Sequence, residues 1–124
     1  MYGPPRLLAE LQDLGYSAEI VPCGDIHFVA IRNYRIEVGR FVDRTIDLAL
    51  PATPDFPRTV GSSVHIRAEP QLLECQSIPN VMNIIPSPLG EAWRYWSHNF
   101  NWAGECHRSA ARLLYKINAI FDRV

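Results

Sequence analysis

The stretch Leu89–Trp102, LGEAWRYWSHNFNW, holds all three tryptophans of the 124-residue chain and sets one serine and one histidine, Ser97 and His98, among five large aromatic residues. If it is helical, Trp93 and Trp96 share a face and the segment is a slab of core. If it walls a cleft, Ser97 and His98 stand where chemistry could occur. The choice depends on what the rest of the chain builds around it.

Working outward, the segment before it, QLLECQSIPNVMNIIPSPLG, has no sustained periodicity and carries Pro79, Pro86 and Pro88. It is expected to be a long loop, and loops of that length in a compact domain are often functional. After it, Cys106, Ala110, Leu113, Ile117 and Ile120 mark one face of a helix beginning near Glu105. Arg108, Arg112 and Lys116 fall at i, i+4 steps on the other face, which reads as solvated.

The first half of the chain is more regular. Leu7, Leu8, Leu11 and Leu14 recur at helical spacing behind prolines that a first turn tolerates, and Gly15 follows as a stop. SAEIV and IHFVAIRNY then read as two strands joined at Cys23-Gly24-Asp25, and TIDLAL and SVHIRA as two half-buried alternating strands. Between the last two, Pro51, Pro54 and Pro57 forbid a central strand and predict an extended crossing. Strands in one block with helices at the ends predict an α+β layer fold with a four-stranded antiparallel meander, in a single domain spanning residues 1–124.

Composition narrows the function. Twelve basic residues against thirteen acidic give a formal charge of −1, which argues against nucleic acid and anionic membranes as partners. Cys23, Cys75 and Cys106 form neither a disulfide framework nor a CxxC zinc pair, so no metal and no cofactor is predicted and a reducing, cytoplasmic setting fits. No apolar run suits a signal peptide or a membrane span.

The order of elements, with Asp55-Phe56-Pro57 in the crossing and Trp93, Trp96, Ser97, His98 and Trp102 ahead of a helix, resembles the ubiquitin-conjugating enzyme fold. It is most similar to a bacterial branch, the prokaryotic family-E ubiquitin-conjugating-like proteins, which carry a Trp-x-x-Trp-Ser segment with a nearby histidine and a later tryptophan. The resemblance spans nearly the whole chain. It implies a bacterial ubiquitin-like protein conjugation pathway, of the kind associated with antiphage defence, with an activating enzyme and a ubiquitin-like protein as partners.

The resemblance also defines where chemistry should sit. Conjugating enzymes carry His-Pro-Asn, whose asparagine steadies the oxyanion, and about eight residues later a cysteine that accepts ubiquitin as a thioester. Here Ile78-Pro79-Asn80 keeps the proline and asparagine, but Pro88 stands at the cysteine's distance, and counting back from Trp102 lands near Arg94. Neither register holds a thiol.

The candidate catalytic residues are therefore Cys75, the thiol within the expected loop, Ser97 as an oxyester acceptor, His98 beside it, and Asn80. Against these stand plainer roles: Cys75 as a small hydrophobe, Ser97 as a turn cap, His98 as a donor to a backbone carbonyl and Asn80 as a turn residue. Cys106 is expected in the core and Cys23 in a turn. Trp93, Arg94 and Trp102 are the candidate partner contacts, because tryptophan and arginine dominate interface hot spots. The reading favoured is a non-thiol adaptor, with an active carrier enzyme as the alternative; a third is a small-molecule domain with an aromatic pocket.

Overall fold

The computed structural model describes residues 1–79 and 81–124. Helix α1 (Pro4–Asp13) opens the chain with its prolines in the first turn, and it buries Leu7 and Leu11. Strands β1 (Ser17–Cys23), β2 (Ile26–Arg35), β3 (Thr45–Pro51) and β4 (Ser63–Arg67) follow as an antiparallel meander, as their alternation requires. The turn between β1 and β2 is Gly24-Asp25, with Gly24 at positive φ.

The sheet does not stop at four strands. The segment expected as a long loop contains β5 (Gln76–Ile78) and β6 (Met82–Ser87), and the tryptophan stretch supplies β7 (Gly90–Ser97). All seven join one antiparallel sheet in the order β1-β2-β3-β4-β7-β6-β5. Periodicity failed here because β5 and β6 are short and Pro86 lies within β6, where a proline argues against a strand. The alternation of β7 is masked by large residues on both of its faces.

Both helices cover one face of this sheet. Helix α2 (Ala110–Arg123) begins later than the sequence predicts, at a Ser109 cap whose Oγ accepts from the Arg112 N–H at 3.2 Å. The carboxylate of Glu10 on α1 accepts from Ala110 N–H at 2.8 Å, so one helix satisfies a free donor at the start of the other. Their apolar stripes meet Val29 and Ile31 of β2, Leu48 and Leu50 of β3, Val64 and Ile66 of β4, and Ile84 of β6. Trp96 enters this core at 1% exposure, its ring 5.9 Å from that of Phe121.

The late start of α2 corrects the expectation for Cys106. It lies before the helix and is exposed, not core. Arg108 also precedes the helix, while Arg112 and Lys116 both pair with Glu105.

The second face has its own small cluster. Phe28, Ala30, Ala49 and Trp93 are buried there, with Val21, Cys23 and Leu89 against them. The helical expectation put Trp93 with Trp96; in a strand, residues three apart point to opposite faces, and these two do. The tip of the β6–β7 hairpin adds Leu89 to the cover of this cluster, and the Arg67 guanidinium lies over the Trp93 ring at 5.3 Å. On a flat sheet β1 would lie about 19 Å from β7, four steps of about 4.8 Å. Yet Cys23 Sγ, at the end of β1, lies 3.7 Å from the Pro88 carbonyl oxygen in the hairpin turn. The sheet must curl to close that distance, and the register shift between Pro86 and Ser87 bends the tip inward.

Candidate functional site

Strand register brings the expected site residues to the β5–β6–β7 end of the sheet. Ser77 stands opposite Asn83 across β5 and β6, and Ser97 opposite Ser63 across β7 and β4. A hollow of about 400 Å³ opens there, lined by Cys75, Ser77, Asn83, Ile85, Tyr95 and Ser97 among others. The two candidate nucleophiles thus share one hollow. Cys75 is exposed just before β5, and Ile85 beside it is exposed as well.

The hydroxyl of Ser97 is already engaged. Ser97 Oγ accepts from the Asn83 N–H at 2.9 Å and donates to the Asn83 carbonyl at 3.3 Å, which ties the end of β7 to β6. His98 does not serve Ser97: it lies just past the end of β7, and its ring packs against Phe100 and hydrogen-bonds the backbone of Val81 instead. Its ring lies 5.1 Å from that of Phe100. Burial lowers its pKa; a hydrogen bond to the backbone of Val81 works against that, and the charges of Arg123 and Lys116 add to it. The lining of the hollow supplies no histidine, lysine or arginine to activate the Cys75 thiol. Asn80 lies outside the described residues.

The three candidate partner contacts are mostly occupied within the fold. Trp93 and Trp102 are each 7% exposed. The Trp102 indole N–H donates to the Pro57 carbonyl at 2.7 Å, pinning the proline crossing to the segment before α2. Arg94 donates to the carbonyls of Glu91 and Trp93 at 2.8 and 3.1 Å and faces Glu74 at 3.5 Å.

One polar cluster escaped the sequence reading. His65 is 2% exposed on the second face, its ring between those of Phe28 and Tyr95 at 4.8 and 5.0 Å. Its Nδ1 lies 2.7 Å from Ser87 Oγ, and Nε2 lies 3.4 Å from Ser63 Oγ. Ser87 Oγ also accepts from the Leu89 N–H at 3.1 Å, so one hydroxyl ties the hairpin turn to the imidazole. Burial brings the His65 pKa down to about 4, so the ring is neutral at pH 7 and holds the hairpin tip over the second face. The signal was the alternation Ser63, His65, Arg67, which marks one face but not what covers it.

Among the described residues no three His, Cys, Asp or Glu side chains gather as a metal site, and no helix is long and apolar enough to cross a membrane. The fold and the site define an α+β domain with both helices on one face of a curled seven-stranded antiparallel sheet. Comparison with known protein families, curated proteins and solved structures finds no match for this chain.

Proposed function

We propose that the chain is a ubiquitin-conjugating-like adaptor of a bacterial ubiquitin-like conjugation pathway, one that holds the activating enzyme or the ubiquitin-like protein without accepting it covalently. What supports the fold-level likeness is the order of helix, meander and proline crossing, with the tryptophan-serine segment ahead of the last helix. The three further strands depart from the four-stranded frame of the resemblance.

The observation that carries the adaptor reading is the engagement of Ser97. Its hydroxyl is bonded twice to the Asn83 backbone, and the adjacent imidazole is engaged with Phe100 and the Val81 backbone. Attack by Ser97 would require breaking the β6–β7 ladder end without a base to take the proton. The alternative, a carrier enzyme, draws on the exposure of Cys75 in the same hollow.

One experiment separates the two. The purified chain, mixed with a cognate activating enzyme, its ubiquitin-like protein and ATP, should form a complex by co-purification and show no adduct on a non-reducing gel. A thiol-sensitive adduct lost in Cys75→Ser, or a thiol-resistant one lost in Ser97→Ala, would overturn the adaptor reading and name the acceptor atom.

A further inference from the structure

The solvent side of α2 does not look like a solvated helix face. Of its five exposed positions, Ala111, Tyr115, Ala119 and Asp122 form one stripe in which three of four residues are apolar or aromatic, with Arg123 about a quarter turn to the side, and Tyr115 is 63% exposed. Polar residues normally fill such a stripe. Tyr115 stands as a ridge with a hollow on each side. One, of about 300 Å³, reaches past Ala111 to Leu14 and Tyr16; the other, of about 330 Å³, lies between Val38, Ala119 and Asp122. Leu14 and Val38 extend the apolar surface at 49% and 36% exposure. Asn118, between the two hollows, is held by the Tyr34 hydroxyl, which donates to its Oδ1 at 2.7 Å.

We infer that this stripe is the contact surface of a symmetric dimer of the chain, in which Tyr115 of each copy enters the hollow beside Ala119 of the other. The partner is a second copy because the stripe complements itself. In a two-fold interface residue i meets j and j meets i. A two-fold axis crossing α2 at Ile117, with the helices antiparallel, faces Tyr115 with Ala119 and Arg112 with Asp122. Ala111, Tyr115 and Ala119 lie on one i±4 row, and such rows interdigitate when two helices cross, the small residues admitting the partner's large one.

The charges agree with this arrangement. At the amino-terminal end of the stripe two cations, Arg112 and Lys116, share the single carboxylate Glu105, and these hydrogen bonds, with Arg112 first, bring that carboxyl down to about 2. Arg112 already lies over the Tyr115 ring at 4.5 Å. At the other end Asp122 has no ion-pair partner among the described residues. The nearby Arg40 guanidinium stacks on Phe41. Arg123, exposed and likewise without an ion pair among the described residues, lies off the stripe, so antiparallel pairing brings Arg112 of each copy to Asp122 of the other, twice.

The inference is independent of the adaptor reading, and sedimentation equilibrium on the full chain tests it. From micromolar to submillimolar concentration the mass should rise from 14.1 kDa toward twice that value. Tyr115→Asp and Ala119→Arg should each stay monomeric over the same range with melting curves like the wild type, since both positions are exposed. Tyr115→Phe, which keeps the ring, should still dimerise, and Asp122→Arg should weaken the dimer by about tenfold. A wild type that stays monomeric at the highest concentration, leaving the stripe to a different protein's helix, would overturn the inference. So would a dimer that survives both Tyr115→Asp and Ala119→Arg.

Discussion

Trp96 and Trp93 stand three residues apart in β7 and are almost equally buried, at 1% and 7% exposure, yet they belong to different structures. Trp96 lies in the main core, where two helices supply Leu7, Leu11, Leu113, Ile117 and Phe121 against the sheet. Trp93 lies in a four-residue cluster on the other face, under a hairpin tip tied down by a serine and a histidine. Accessibility alone would rank them as equals. The difference is in the cover: a helix face brings many apolar atoms and its own satisfied backbone, whereas a turn brings Leu89 and polar groups that need partners.

The largest expected effect tests that contrast directly. Trp96→Ala should cost about 3–5 kcal/mol in denaturant unfolding, as for a fully packed large aromatic. Trp93→Ala should cost about 1–3 kcal/mol, because the hairpin tip can settle into the space. Equal costs would show that the second cluster is packed as tightly as the first.

Acid should act through the second face. His65 titrates near 4 in the fold and near 6.5 when unfolded, so between those values the unfolded chain binds the proton and the folded one does not. The His65 contribution should therefore fall as pH drops from 6.5 toward 4, by up to about 3 kcal/mol, and level off below that range, where the depressed carboxylates Asp47 and Glu105 take over the loss. His65→Gln should flatten this part of the pH profile. A profile unchanged by the substitution would remove His65 as its source.

A smaller effect is expected from the latch itself. Ser87→Ala takes the hydroxyl from His65 Nδ1 and from the Leu89 N–H, and should cost about 1–3 kcal/mol. Faster amide exchange should be confined to the hairpin tip and the end of β1. Exchange that quickened in α2 instead would mean the two faces are not independent.

The smallest effects concern the thiols. Cys75→Ser and Cys106→Ser should each change stability by less than about 0.5 kcal/mol, because both lie at the surface. Both native thiols should label with a maleimide faster than Cys23, which is half-buried against the hairpin turn. Slow labelling of Cys106 would restore it to the core face that the sequence pattern assigned.

The sequence by itself determined the first helix, the four strands of the meander, the proline crossing and the apolar face of the last helix. Each rests on local signals: Leu7 and Leu11 at helical spacing, Ile46, Leu48 and Leu50 at strand spacing, Gly24 in a tight turn. It also gathered Cys75 and Ser97 as candidates, and they do line one hollow. Only the tertiary structure decided that the loop after Pro70 carries two strands, that β7 inserts beside β4, and that Trp93 and Trp96 part company. The reason is physical. A strand completes its hydrogen bonds on neighbours distant in sequence, so Met82–Ser87 becomes regular only once β7 lies beside it. His65 likewise reads as a surface residue of an alternating strand until the curl of the sheet brings Ser87 over it.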